Sequence, residues 1–325
     1  MIQMNVRNTM KKIIMLTICA ALVTIPGMAF DLSLSAGESG LRVLTTKEAP
    51  ENFGRALPMG PASLRFAGET VWAVDSIAGK FVEYNRDGHE LQAVSVKDAD
   101  KLVIADFAFE KDAEGKNTAI WAVGSEQADV LRIDMTGKVV ASFATGLSFP
   151  AQLELLPGNR LAVLDQSAPL LVVFAADGKR LREQACVGKG FVCEPNGDIL
   201  YLSRKGESVA LMRLVNQTGE AAELKVLDVG IDAEPSLLMF RNQDEVFISF
   251  KSMLEKTGNL SFNLSRFSLA GNPGASLTTA FPAAFINRLL VYDGKGLFTV
   301  NFVEENGIYL LRVKELEMIE EASQG

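Results

Sequence analysis

The sequence predicts an all-β chain, a six-bladed β-propeller of four-stranded antiparallel blades whose last blade is closed by an N-terminal strand. Three observations lead there. A unit of apolar strand, polar loop, second strand and glycine turn recurs, with turn glycines at 88, 137, 178, 219 and 271. A strand-like repeat of 40 to 50 residues is the signature of a propeller blade. Finally, the last unit is one strand short, while an unused strand precedes the first.

The clearest copy is VWAVDSIAGKFVEYNRDG, from Val71 to Gly88. It is followed by IWAVGSEQADVLRIDMTG from Ile120 to Gly137 and LAVLDQSAPLLVVFAADG from Leu161 to Gly178. More degenerate copies end in RLVNQTG at Gly219 and RFSLAG at Gly271. In the first unit, strands are expected at Ser63–Ala67, Thr70–Asp75, Lys80–Asn85 and His89–Val96. Asp87-Gly88 between the last two is a two-residue hairpin signal, repeated at Asp177-Gly178. Alternation of apolar and polar residues in KFVEYN and VLRID suits strands with two unlike faces.

Proline marks the start of several innermost strands, at Pro61, Pro150, Pro235 and Pro282. Its missing N–H is tolerated where a strand begins. Phe149-Pro150-Ala151 recurs as Phe281-Pro282-Ala283. The units fall near 62–97, 102–146, 150–187, 190–230 and 235–280. A sixth, near 284–318, has three strands of its own. Leu41–Thr46 (LRVLTT) is the expected donor of its fourth, because pairing the two chain ends removes exposed sheet edges.

The first 29 residues differ from the rest. Arg7, Lys11 and Lys12 precede an uncharged run to Phe30, and Gly27-Met28-Ala29 offers small residues before a cut. This reads as a secretory signal peptide spanning 1–29, followed by a single propeller domain over 30–319 and a frayed tail at 320–325. Without the leader, 29 basic side chains face 40 acidic ones, a net charge of −11. Such a surface argues against nucleic acid and anionic membrane as partners, since both reward clustered Lys and Arg. No membrane insertion is expected once the leader is cut. A periplasmic or extracellular location follows, and there Cys186 and Cys193 are expected to close a disulfide. By loop entropy that bridge would contribute about 2–3 kcal/mol.

The pattern of proline, VWAVDS, polar loop, FVEYNRDG and then HELQAV resembles the NHL-type repeats of six-bladed, TolB-like β-propellers. The resemblance covers about 62 to 280 well and the sixth unit loosely. Scaffolds, ligand-binding ectodomains, lactonases and lyases all belong to that group, so the resemblance implies the fold and a choice among those roles. The chain departs from the group's pattern in lacking the Asn-Arg pair in the polar loop. Only the first and third units keep the aspartate there.

The chemistry is narrow. His89 is the one histidine, and it follows a turn where it reads as solvated surface, which argues against Ser-His-Asp catalysis and a His-ligated metal. No GxSxG and no phosphate-cradling loop appears. One enzymatic alternative is a calcium-dependent lactonase, with Asp75, Asp165 and Asn301 as oxygen ligands at the channel mouth. The plainer reading of each aspartate is hydrogen bonding to its own turn.

The main expectation is a non-catalytic exported propeller, without cofactor, that binds a protein or carbohydrate-like partner. The loops between second and third strands would make the contacts. They carry Asp75 and Ser76, Glu126 and Gln127, and Asp165 and Gln166. In the last three units they carry Arg204 and Lys205, Lys251, and Glu304. A passive envelope scaffold is a further alternative. Trp72 and Trp121, equivalent within second strands, are expected to pack between blades.

Overall fold

The computed structural model describes residues 29–35, 41–42, 61–76, 78–97, 103–124, 127–188, 190–227, 234–242, 245–253, 260–269, 273–279, 290–292, 296–305 and 308–315. Strands β1 (Ala29–Ser35) and β2 (Leu41–Arg42) come first. The first sheet is β3 (Ser63–Ala67), β4 (Thr70–Asp75), β5 (Lys80–Tyr84) and β6 (Glu90–Ser95). The second is β7 (Ile104–Lys111), β8 (Asn117–Gly124), β9 (Asp129–Asp134) and β10 (Val139–Ala144). The third holds β11 (Pro150–Leu156), β12 (Arg160–Asp165), β13 (Leu170–Phe174) and β14 (Arg180–Ala185). The fourth holds β15 (Val192–Cys193), β16 (Ile199–Lys205), β17 (Ser208–Leu214) and β18 (Ala221–Leu227). The fifth comprises β19 (Glu234–Asn242), β20 (Glu245–Met253), β21 (Leu260–Ser268) and β22 (Pro273–Thr279). The remaining strands are β23 (Leu290–Tyr292), β24 (Leu297–Glu305) and β25 (Ile308–Glu315). They join β1 and β2 in the order β2-β1-β25-β24-β23.

Within the first five sheets, consecutive strands pair antiparallel in chain order. Burial explains the sequence pattern. The second strand β4 is covered on both faces, so it reads as the nearly unbroken apolar run TVWAVD. The outermost strand β6 is mostly solvated and reads as mixed ELQAVS.

The core is divided into clusters shared by successive sheets. Trp72, Val74 and Phe81 of the first sheet pack with Phe107, Ile120 and Ile133 of the second. Trp121 and Val130 pack with Leu161 and Phe174 of the third. Further clusters join the third sheet to the fourth and the fourth to the fifth. Leu32, Val300 and Leu311 of the last sheet meet Val71 and Val82 of the first. Innermost strands also meet: β3 with β7, β7 with β11, β15 with β19, β19 with β23, and β23 with β3. Gln152 of β11 bonds the Phe191 carbonyl and amide, linking third and fourth sheets. The sheets thus follow one another face to face in a β-propeller arrangement.

Closure uses a different segment from the one expected. β1, not Leu41–Thr46, pairs with β25, in register from Ala29 opposite Lys314 to Leu34 opposite Tyr309. Phe30 and Leu32 enter the core on one face, and Asp31 on the other makes a two-pronged contact to Arg312 at 2.8 and 2.7 Å. Only Leu41–Arg42 of the expected donor is a described strand, and it runs parallel to β1 at the outer edge. The alternation of AFDLSLS serves this pairing, and a cut after Ala29 would remove only its first residue. Residues 1–28, which hold most of the expected leader, and the tail 320–325 lie outside the described residues.

The glycine turns also differ from expectation. Of the residues from Asn85 to His89, only Gly88 has positive φ, at 79°. Its N–H donates to the Asn85 carbonyl, and the Asn85 N–H to the His89 carbonyl. This is a type I turn closed by a glycine bulge, not a two-residue turn with two positive φ values. The same glycines touch the neighbouring sheet. A Cβ on Gly88 would lie 2.5 Å from the Asp31 carbonyl oxygen, and one on Gly137 would land on that of Ser95. Gly178 faces Phe143, and Gly219 faces Arg182, in the same way. Each of these turns abuts the outermost long strand of the preceding sheet, with β1 preceding the first.

Candidate functional site

Asp75 ends β4 and Asp165 ends β12, as the sequence placed them, and both are buried. Asp165 is spent on its surroundings. Its Oδ2 accepts the Ser148 N–H at 2.7 Å, and its Oδ1 accepts the Phe149 N–H at 3.2 Å. Oδ1 also accepts the Ser167 N–H and hydroxyl at 2.9 and 2.8 Å. Burial alone would raise its pKa, but these hydrogen bonds outweigh it and hold the carboxyl below the usual range. Asp75 accepts the Ala78 N–H at 2.8 Å, and Ser76 Oγ accepts the Ala62 N–H at 3.1 Å. Each pair braces the loop after its own second strand. In both sheets the same region also holds the chain coming into the innermost strand.

Around this scaffold, Gln127, Arg204 and Lys205 are exposed, and Gln166 is half-buried. Lys205 is engaged with Glu223 at 2.6 Å on the surface. Glu126 lies outside the described residues. Lys251 and Glu304 stand within β20 and β24, opposite Phe262 and Tyr309, because these hairpins run further as strand than the sequence suggested. Asn301 is likewise mid-strand in β24, opposite Arg312, and does not share the strand-end position of Asp75 and Asp165. Among the described residues no three His, Cys, Asp or Glu side chains come together as a metal site. Asp165 accepts four donors from its own loops, and Asn301 lies mid-strand, so the three do not share one strand-end position.

Cys186 and Cys193 are not bridged to each other, a correction to the expected disulfide. Both are half-buried against the cluster between third and fourth sheets. Burial pushes the Cys186 thiol up to about 12. His89 is exposed, and Trp72 and Trp121 are buried between sheets, as expected. No helix among the described residues is long and apolar enough to cross a membrane.

A second polar centre escaped the sequence reading. Ser63 and Arg65 on β3, Asp106 on β7 and Glu154 on β11 converge from three innermost strands. Ser63 donates its hydroxyl to Asp106 Oδ1 at 2.6 Å, and the Leu153 N–H donates to Oδ2 at 2.9 Å. Arg65 reaches Asp106 at 3.3 Å, Glu154 at 3.0 Å and the Leu153 carbonyl at 2.7 Å. Asp106 is closed from solvent, while the Arg65 and Glu154 side chains are 17% and 20% exposed. The members lie 41 and 89 residues from Arg65 in sequence, so no local motif announces them. The available signal was a charged residue in each of three strands that a ring brings side by side. Within the second sheet, Glu110 takes a two-pronged bond from Arg132 and a third from Trp121 Nε1. The Arg132 hydrogen bond is the main reason the Glu110 carboxyl sits below the usual range.

No family model matches the chain, and no curated protein matches it. Solved structures do. A proposed exported protein from Bacteroides fragilis is similar at 10% identity and TM-score 0.50, over 88% of this chain and 94% of that one. A virginiamycin B lyase from Staphylococcus aureus is 14% identical over 89% and 95%, with TM-score 0.48. A luciferin-regenerating enzyme is 11% identical over 81% and 93%, with TM-score 0.49. At such identities the likeness is one of fold alone.

Proposed function

We propose that the chain is a six-bladed, NHL- or TolB-like propeller, exported to the periplasm or beyond. In this reading it binds a protein or carbohydrate-like partner through its loop face and catalyses nothing. One observation carries the reading: Asp165 on the loop face spends its carboxylate on four hydrogen bonds that shape loops. A base or metal ligand needs free lone pairs, whereas a binding surface needs loops of fixed shape. The inner-strand centre fits too, because Arg65 bridges Asp106, Glu154 and the Leu153 carbonyl and ties three sheets together. No cofactor is required.

The test uses protein beginning at Phe30. Partner capture from an envelope fraction and glycan binding are compared between wild type and an Arg204→Glu/Gln127→Ala variant, alongside lactone hydrolysis with calcium or a chelator. Binding weakened in the variant, without turnover, is the expected result. Lactone hydrolysis that requires calcium and stops with chelator overturns the reading.

A further inference from the structure

The Phe149-Pro150-Ala151 motif starts β11, but its phenylalanine is not taken into the core. Phe149 is 45% exposed and is the one aromatic among the exposed large hydrophobic residues of the described part. Its exposure does not come from a loose loop. The Phe149 N–H is held by Asp165, and its carbonyl accepts the Gln166 N–H at 3.0 Å. The preceding Ser148 N–H is held by Asp165 as well, and Asp165 itself is only 4% exposed. A buried carboxylate therefore fixes the backbone on either side of a ring that points to water. The cost of ordering this segment is met in folding and not at the moment of binding.

Ser148 next to it in sequence, and Gln166 and Ser167 on the segment paired with it, bring uncharged polar side chains to the same spot. The Ser148 hydroxyl and the Gln166 carboxamide make no hydrogen bond of their own among the described residues. The Ser167 hydroxyl donates to Asp165 and keeps its lone pairs. This spot offers an exposed aromatic ring beside an amide and hydroxyls, with the Asp165 carboxylate buried under its backbone.

We infer that Ser148, Phe149, Gln166 and Ser167 form a subsite for an uncharged sugar ring. A sugar ring has an apolar C–H face and hydroxyl edges, which match an aromatic face with donors and acceptors at its border. Recognition of a protein through the same spot would need a desolvated apolar centre within an interface of about 1,000 Å2, and a single ring in a hydroxyl rim does not supply that centre. The net charge of −11 that the chain carries without its leader disfavours acidic sugars. This inference rests on the loop-face binding reading and narrows its partner to neutral carbohydrate.

The test is an array of neutral oligosaccharides of glucose, galactose and mannose, with calorimetry on the best binder. Wild type is compared with Phe149→Ala, Phe149→Tyr and Gln166→Ala, and thermal unfolding confirms that each variant is folded. A neutral oligosaccharide should bind, Phe149→Ala should weaken it at least about tenfold, and Phe149→Tyr should change it by less than about threefold. Undiminished binding by folded Phe149→Ala overturns the subsite, as does an array on which nothing neutral binds. A protein partner captured equally by wild type and Phe149→Ala, with no glycan bound, overturns the sugar assignment and leaves loop-face binding standing.

Discussion

Asp106 has no route to water, and its oxygens are filled by Ser63, Arg65 and the Leu153 amide, so its charge exists only because its neighbours compensate it. Replacing it with alanine removes one of the two carboxylates that compensate Arg65 and leaves Glu154 and the Leu153 carbonyl as its partners. Asp106→Ala should lower stability by about 3–5 kcal/mol in urea unfolding, the range for breaking a buried ion pair. Asp165 adds a pH signature. Its folded pKa lies below the ordinary 3.8, so the ionised form stabilises the fold above that value. That contribution is lost as pH falls through the folded pKa. Wild type should therefore lose stability faster than Asp165→Asn as pH drops below about 4, measured by unfolding at successive pH values.

Among elements, the glycine turns illustrate why one residue type recurs at the blade period. Gly137 and Gly115 have nearly the same backbone, with φ of 85° and 81°. A Cβ on Gly115 would meet nothing within 4 Å, whereas one on Gly137 would strike the Ser95 carbonyl oxygen of the neighbouring sheet. Both alanine substitutions incur the left-handed backbone cost of about 1–2 kcal/mol. Gly137→Ala must also push two sheets apart, and the Lys97 N–H bond to its carbonyl, at 2.9 Å, is strained with it. The expected outcome is that Gly137→Ala destabilises by at least about 1 kcal/mol more than Gly115→Ala, read from urea midpoints. Equal losses would mean that the inter-sheet approach is slack.

At the scale of the molecule, stability depends on joining the last sheet to the first. β1 covers the edge of β25, and its Leu32 enters the core shared with Val71 and Val82. Protein beginning at Phe30 should fold like the full domain. Protein beginning at residue 36 should lose the transition or aggregate, because it bares a long strand edge and opens that core. Sedimentation and thermal unfolding distinguish the two. A stable monomer starting at residue 36 would assign closure to the segment around Leu41 instead.

Strand positions in the first sheet were legible to within a residue or so, since Ser63–Ala67 and Thr70–Asp75 appear as expected and the next two are trimmed at their ends. The aspartates at strand ends were legible as turn residues for the same reason, because their bonds are local. The closing strand was misassigned: both AFDLSLS and LRVLTT have strand character, and nothing local distinguishes which one meets β25. By itself the sequence determined what depends on neighbours along the chain, namely the repeat, the alternation and the turns, because period and backbone preference act over a few residues. Only the tertiary structure decided what depends on the ring. It brought Arg65, Asp106 and Glu154 together, set each turn glycine against another sheet, and turned Phe149 outward over a buried Asp165, since such contacts join residues whose separation in sequence carries no trace of their meeting.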